Sequence, residues 1–141
     1  MSSRDQADTS IYPLDAIHGP DGGAGPILDR ETFSALEELA GEDDPDLVAE
    51  LVGLYLEDSV GRMNQIQSAA SEGDHEAIGR AAHVLKSSSA SIGALPFSRT
   101  CGELERLSRS NSSDEIDALE QLLARAAVMY AEVRKALNSK Q

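Results

Sequence analysis

Apolar residues recur every three or four positions along five stretches of the chain, which is the spacing of amphipathic helices. The stretches cover about residues 29–40, 45–71, 74–91, 95–109 and 114–138. Connectors rich in Gly, Asp, Pro and Ser separate them, and no alternating strand pattern occurs. We therefore expect an all-α fold. The four longer helices should form an antiparallel up-and-down bundle, and the first short helix should cover one end.

Turn and capping residues support these helix boundaries. Asp44 is placed to cap the second predicted helix, and Pro45 fits its first position, where a missing N–H costs little. Gly73 should stop that helix, Asp74 should cap the third, and Gly93 should end the third.

The chain is expected to divide into a tail and one domain. Residues 1–26 are polar and rich in Gly and Pro, without a sustained period, so we expect a disordered N-terminal tail. Residues 27–141 should form the helical bundle. A chain of 141 residues can bury a core of its own without disulfides or a structural metal.

The third predicted helix places one histidine away from its apolar side. At about 100° per residue its apolar and small residues gather on one side; they are Ile78, Ala81, Ala82, Leu85, Ser89 and Ile92. His83 falls opposite, one helical turn from the small residues Gly79, Ser87 and Ala90, with Lys86 three positions on. An exposed imidazole with low neighbours and one nearby cation suits a group that meets another macromolecule and carries an anion.

Charge and composition exclude several function classes. The net charge of −13 is opposite to the basic footprint of nucleic-acid binding and to attraction by anionic lipid. Cys101 is the single cysteine and should be buried and inert, so nothing indicates an oxidising compartment. Neither a signal peptide nor a run of about 18 apolar residues is evident, and we expect a cytoplasmic protein.

The residues around His83 resemble the signature of histidine-containing phosphotransfer (HPt) domains. The resemblance lies in His83-x-Leu85-Lys86-Ser87-Ser88-Ser89-x-x-Ile92-Gly93-Ala94, and it extends over about residues 27–109. Ser87 stands where the family most often has Gly. The resemblance implies a four-helix bundle and a phosphohistidine at His83.

The same resemblance implies a relay. His83 would take a phosphoryl group from a receiver-domain aspartate of a hybrid sensor kinase and pass it to a response-regulator receiver. The receivers would bring their own divalent metal, such as Mg²⁺, while this chain would bind no cofactor and have no ATP-dependent kinase activity. It would act as a phosphocarrier and, by default, as a monomer.

Individual site residues follow from the chemistry and from the family. A neutral imidazole nitrogen is a competent nucleophile toward phosphorus, and transfer otherwise asks for positioning and charge stabilisation, which Lys86 can supply in part. The resemblance suggests that Glu105, on the next helix, orients the ring, although a plain surface carboxylate is the alternative. Leu56, Val60 and Met63 fit either the core or an apolar docking patch beside His83. Gly79, Ser87 and Ala90, the small neighbours of His83 on its own helix, would leave room around the imidazole for a docking partner.

Two other function classes are open from the sequence. A non-catalytic adaptor would keep the bundle and bind receiver domains without being phosphorylated. A metal-binding bundle is disfavoured, because the one Glu-x-x-His pair, Glu72 and His75, is interrupted by Gly73 and Asp74.

Overall fold

The computed structural model describes residues 26–110 and 112–140, which contain five α-helices and no strand. The helices are α1 (Arg30–Ala40), α2 (Leu47–Glu72), α3 (His75–Ser91), α4 (Leu95–Ser108) and α5 (Ser113–Asn138). The predicted all-α class and all five helices are confirmed. Nearly all of the predicted tail, residues 1–25, lies outside the described part of the chain.

The four long helices form an antiparallel up-and-down bundle. Each packs against the next in sequence, and α5 closes the ring by packing against α2, while the short α1 packs against α2. The core is made of aliphatic residues with few aromatics. Its largest fully buried members include Phe97, Ile66, Ile78, Leu85, Leu104, Leu119 and Leu137. The inner side predicted for the third helix, from Ile78 to Ile92, is buried as expected.

Capping explains where α1 and α3 begin. The Asp29 carboxylate accepts hydrogen bonds from the Thr32 backbone N–H at 3.0 Å and from the Thr32 hydroxyl at 2.7 Å. The Asp74 carboxylate accepts one from the Ala77 N–H at 3.1 Å. Each bond satisfies a first-turn N–H that has no partner within its helix.

One expectation at the edge of the bundle is wrong. The second helix begins at Leu47 and not at Pro45, because turns precede it and Asp46 stands before the helix without a side-chain cap. In the first helix, the apolar repeat of Phe33 and Leu36 could continue at Leu39 or Ala40; Leu39 is 77% exposed, whereas Ala40 is half-buried. A short helix packed on one neighbour buries only a narrow stripe, and Phe33 occupies it.

Buried hydroxyl pairs add specific contacts between helices. The Tyr55 hydroxyl of α2 lies 2.7 Å from the Ser89 hydroxyl of α3. Ser59, also on α2, lies 2.6 Å from the Tyr130 hydroxyl of α5. Buried polar groups need partners, so these pairs restrict how α2 can sit between its two neighbours. Ser89 therefore contributes a specific hydrogen bond between α2 and α3.

Candidate functional site

His83 projects from the outer side of α3 into solvent. Its side chain is 61% exposed, whereas Ala82 and Leu85 on the same helix are fully buried. The exposure predicted from the helical period is therefore confirmed. The ring can be reached by a group on another protein.

The inner edge of the imidazole is held by Glu105 of α4. The Nδ1 atom of His83 lies 2.9 Å from the Glu105 Oε2 atom. The Glu105 side chain is only 9% exposed, which excludes the alternative of a plain surface carboxylate. α4 packs closely along α3, and this packing brings the two residues together.

Glu105 is an ionised acceptor shared by several donors. Its pKa is lowered chiefly by the hydrogen bond from Lys86; burial opposes the shift, and the hydrogen bond with His83 lowers the pKa further. An ionised carboxylate has no proton to donate, so Nδ1 of His83 carries the hydrogen of their bond. In the neutral ring, Nε2 then carries the lone pair at the exposed end.

Lys86 is anchored on the same carboxylate. Its Nζ atom donates to Glu105 Oε1 at 2.9 Å, and its side chain is 41% exposed. Two residues of α4 also contact Lys86. The Ser98 hydroxyl donates to the Lys86 carbonyl at 2.7 Å, and a Cβ at Gly102 would lie 3.2 Å from the Lys86 side chain. The ammonium is thus held beside the imidazole by contacts with its own protein.

Arg109 is a member of the site that sequence reasoning missed. Its guanidinium donates to Glu105 Oε2 at 2.8 Å, while its side chain is 72% exposed. Glu105 and Arg109 are four residues apart on one helix, and this spacing could have predicted their ion pair. Two cations therefore share one buried carboxylate, so the described residues at the site carry one more positive than negative charge next to His83.

The small residues around His83 lie in two different environments. Ser87 and Ala90 are exposed on α3, as a low docking surface requires. Gly79 instead faces α4, where a Cβ would lie 2.5 Å from the Ser108 hydroxyl oxygen. Ser108 in turn donates to the Glu105 carbonyl at 2.7 Å. Gly79 thus permits the close approach of α3 and α4 at the site.

The apolar patch proposed from α2 needs correction. Met63 is 6% exposed and packs in the core, so it has no surface with which to dock a partner. Leu56 and Val60 are half-buried and also pack against the core. Most apolar residues of α2 pack against α1, α3 or α5, whereas Leu54 is 63% exposed.

A groove of roughly 790 Å³ runs beside His83 between α3 and α4. Its walls are formed by Glu76, Gly79, Arg80, His83, Val84, Glu105, Ser108 and Arg109. Within residues 26–110 and 112–140, no three His, Cys, Asp or Glu side chains gather as a metal site would require. Cys101 is buried, and burial raises the pKa of its thiol to about 12, which suppresses the reactive thiolate.

No helix in the described part of the chain has both the length and the apolar character needed to cross a membrane.

Known proteins resemble this chain in sequence and in fold. The model of the Hpt domain family matches residues 50–134. The chain is 33% identical over 86 residues to histidine-containing phosphotransfer protein 4 of Arabidopsis thaliana, covering 60% of this chain and 68% of that protein. It also resembles the crystal structure of histidine-containing phosphotransfer protein B from Pseudomonas aeruginosa PAO1. The TM-score is 0.70 at 27% identity, over 82% of this chain and 94% of the other. The family match includes His83, Lys86, Glu105 and Arg109.

Proposed function

The chain belongs to the Hpt domain family of two-component signalling, and on that premise we propose that it is the carrier between two receivers in a multistep His–Asp phosphorelay. His83 takes a phosphoryl group from a receiver-domain aspartate of a hybrid sensor kinase. It then passes the group to the receiver of a response regulator. The observation that carries this proposal is the solvent-exposed imidazole whose Nδ1 is bound to buried Glu105.

That hydrogen bond supports Nε2 as the reacting atom. In the forward step the Nε2 lone pair forms a bond to phosphorus, and the bond between phosphorus and the aspartate oxygen of the donor breaks. The donor carboxylate leaves with the electron pair. The ring gains positive character in this step, and the negative charge of Glu105 beside Nδ1–H stabilises it. The reverse sequence delivers the phosphoryl group to the acceptor aspartate.

Lys86 is the candidate for stabilising phosphoryl charge. Its ammonium lies next to the ring and is partly exposed, although it is bound to Glu105 in the unphosphorylated protein. A flexible lysine can exchange part of that contact for a phosphoryl oxygen, because its three donors rotate freely. In this proposal the partner receiver supplies the divalent metal. The carrier has no ATP-dependent kinase activity and acts as a cytoplasmic monomer.

The direct test compares His83→Gln with His75→Gln. Glutamine keeps a polar side chain of similar reach but lacks the nucleophilic nitrogen, and His75 lies at the start of the same helix. Each purified protein is mixed with phosphorylated receiver domains from the source organism, and acid-labile phosphate on the carrier is counted. The wild type and His75→Gln should be labelled, while His83→Gln should not.

Labelling of His83→Gln would refute the proposal. If a receiver binds the wild-type protein and no phosphohistidine forms, the protein is an adaptor and not a carrier.

A further inference from the structure

Positive charge is concentrated around His83 in an otherwise acidic protein. Residues 75–109, which span α3, α4 and their connection, contain five of the 12 Lys and Arg residues and three of the 25 Asp and Glu residues. This segment therefore has a net charge of +2, and the rest of the chain has −15. We use "the α3–α4 face" for the outer side of these two helices around His83, with its cations Arg80, Lys86, Arg99, Arg106 and Arg109.

The charges on this face are not equally neutralised. Arg106 is bound by two carboxylates, those of Glu103 and Glu115, at 2.8 and 3.5 Å. At the site itself, two cations share one carboxylate: among the residues that the structure describes, Glu105 is the acidic partner of both Lys86 and Arg109. The unbalanced positive charge therefore lies where a partner would approach the imidazole.

Arg80 adds to this charge on the other wall of the groove. It stands three residues before His83 on α3, and its side chain is 67% exposed. Its contact with Glu76 is long, at 3.6 Å, and Glu76 is itself 85% exposed. A pair in so much water binds weakly, and the guanidinium stays available to a partner.

We propose that the α3–α4 face is an electrostatic docking surface for the acidic rim of a receiver's phosphorylation site. This inference rests on the proposed function and adds the chemistry of the partner surface. A partner that presents an aspartyl phosphate and further carboxylates is attracted to this face. The described residues outside 75–109 carry a net charge of −12, which repels such a partner. Such a distribution orients the encounter and raises the association rate.

The test uses two charge reversals of equal size. Arg80→Glu reverses a charge on the α3–α4 face, and Lys135→Glu makes the same change of two units elsewhere. Glu115, near the start of α5, contacts Arg106, and Lys135 follows it by 20 residues on that helix. A helix rises about 1.5 Å per residue, so Lys135 is displaced by about 30 Å along α5. Both side chains are exposed.

The probe is the receiver domain that transfers phosphate to the wild-type protein fastest. Phosphotransfer is followed by rapid quench at 50 mM and 500 mM NaCl. At low salt, Arg80→Glu should lower kcat/KM about 5- to 10-fold, with kcat within about twofold of wild type. Lys135→Glu should stay within about twofold throughout. At high salt the difference between the two variants should shrink to less than about twofold, because the Debye length falls from about 14 Å to about 4 Å.

A second charge-reversal variant and a small phosphodonor distinguish a failure of the docking proposal from a failure of the carrier function. Arg99→Glu, on α4, repeats the test in case Arg80→Glu alters α3, and circular dichroism checks both folds. At 500 mM NaCl, where long-range charge effects are screened, phosphoramidate should label His83 in all variants within about twofold of the wild-type rate, because so small a donor needs no docking surface. If both face variants behave like Lys135→Glu, the docking surface is refuted while the carrier function stands. If neither phosphoramidate nor any receiver labels the wild type, the proposed function itself fails.

Discussion

The carboxylate of Glu105 is the residue on which the geometry of the site depends. It accepts hydrogen bonds from His83, Lys86 and Arg109, which come from two helices. Its side chain is only 9% exposed, and its charge acts on the imidazole through direct contact with Nδ1. One side chain thus fixes the tautomer of His83 and holds two cations beside it.

We expect Glu105→Gln to change the pH dependence of stability. The folded-state pKa of Glu105 is lowered, mainly by Lys86, so its ionised form contributes stability above the unfolded pKa of about 4.3. That contribution is lost as pH falls through the folded pKa. The variant should lose about 1–2 kcal/mol of unfolding free energy at pH 7 and show a shallower decline toward pH 3.

Urea unfolding followed by circular dichroism from pH 3 to 7 measures both effects. Lys86→Met removes the donor that lowers the Glu105 pKa most, and it should reproduce part of the shallower decline. Parallel curves for Glu105→Gln and wild type across this range would show that the carboxylate has no such role.

Gly79 offers a second test at the scale of residues. Alanine is normally preferred over glycine in a helix by about 1 kcal/mol, yet its Cβ here would overlap the Ser108 hydroxyl oxygen. Gly79→Ala should therefore destabilise the protein by about 1–2 kcal/mol. In a Ser108→Ala background the same change should become neutral or stabilising. A double-mutant cycle from urea unfolding gives the coupling, and additive effects would contradict the contact.

At the scale of elements, the turn between α3 and α4 links the His83 helix to the rest of the fold. Gly93 has φ +88°, in the left-handed region that favours glycine. Its carbonyl accepts a hydrogen bond from the Asp29 N–H at 2.7 Å, and a Cβ on it would lie 3.0 Å from the Thr32 Cβ. The turn thus ends α3 and also receives the start of α1.

Gly93→Ala should therefore cost more than backbone strain alone. We expect a loss of about 2 kcal/mol or more, from the unfavourable φ together with the crowding of Thr32. Gly61→Ala is the matched control, because Gly61 lies within α2 and a Cβ there meets nothing within 4 Å. The control should gain up to about 1 kcal/mol in thermal or urea unfolding. Equal effects at the two positions would refute the role assigned to the turn.

At the scale of the whole molecule, the bundle and the short α1 form one packed unit. Its buried apolar residues extend from Phe33 to Leu137, and Ile27 and Leu28 pack against them. The two ends of the domain also meet, since the Lys140 ammonium lies 5.2 Å from the centre of the Phe33 ring. The contacts that define the site are therefore supported by residues 27–140.

Removal of residues 1–25 should leave the domain intact. The core of the described part of the chain is formed by residues 27–137, so we expect the chain that begins at Pro26 to unfold within about 0.5 kcal/mol of the full chain. Phosphorylation of His83 by a receiver should proceed at an unchanged rate. A loss of more than about 1 kcal/mol in urea unfolding would show that the N-terminal segment contributes to the folded unit.

The sequence by itself determined the five helices, the inner side of α3 and the outward position of His83. These features depend on local periodicity, capping and glycine stops, and every helix carries that information within its own residues. The helical period of α3 alone places His83 on the exposed side of the helix and Ala82 and Leu85 on the buried side. The resemblance of residues 83–94 to a known signature added the chemistry.

Only the tertiary structure decided which side chains meet. Met63 reads equally well as core or as docking surface, because the stripe of α2 does not say how many neighbours cover it. Arg109 joins the site, and Gly79 turns toward Ser108, only because α3 and α4 pack at one particular spacing and register. The bond between His83 and Glu105 joins residues 22 apart on two helices. Such contacts depend on the relative placement of whole helices, which the periodicity within each helix does not specify.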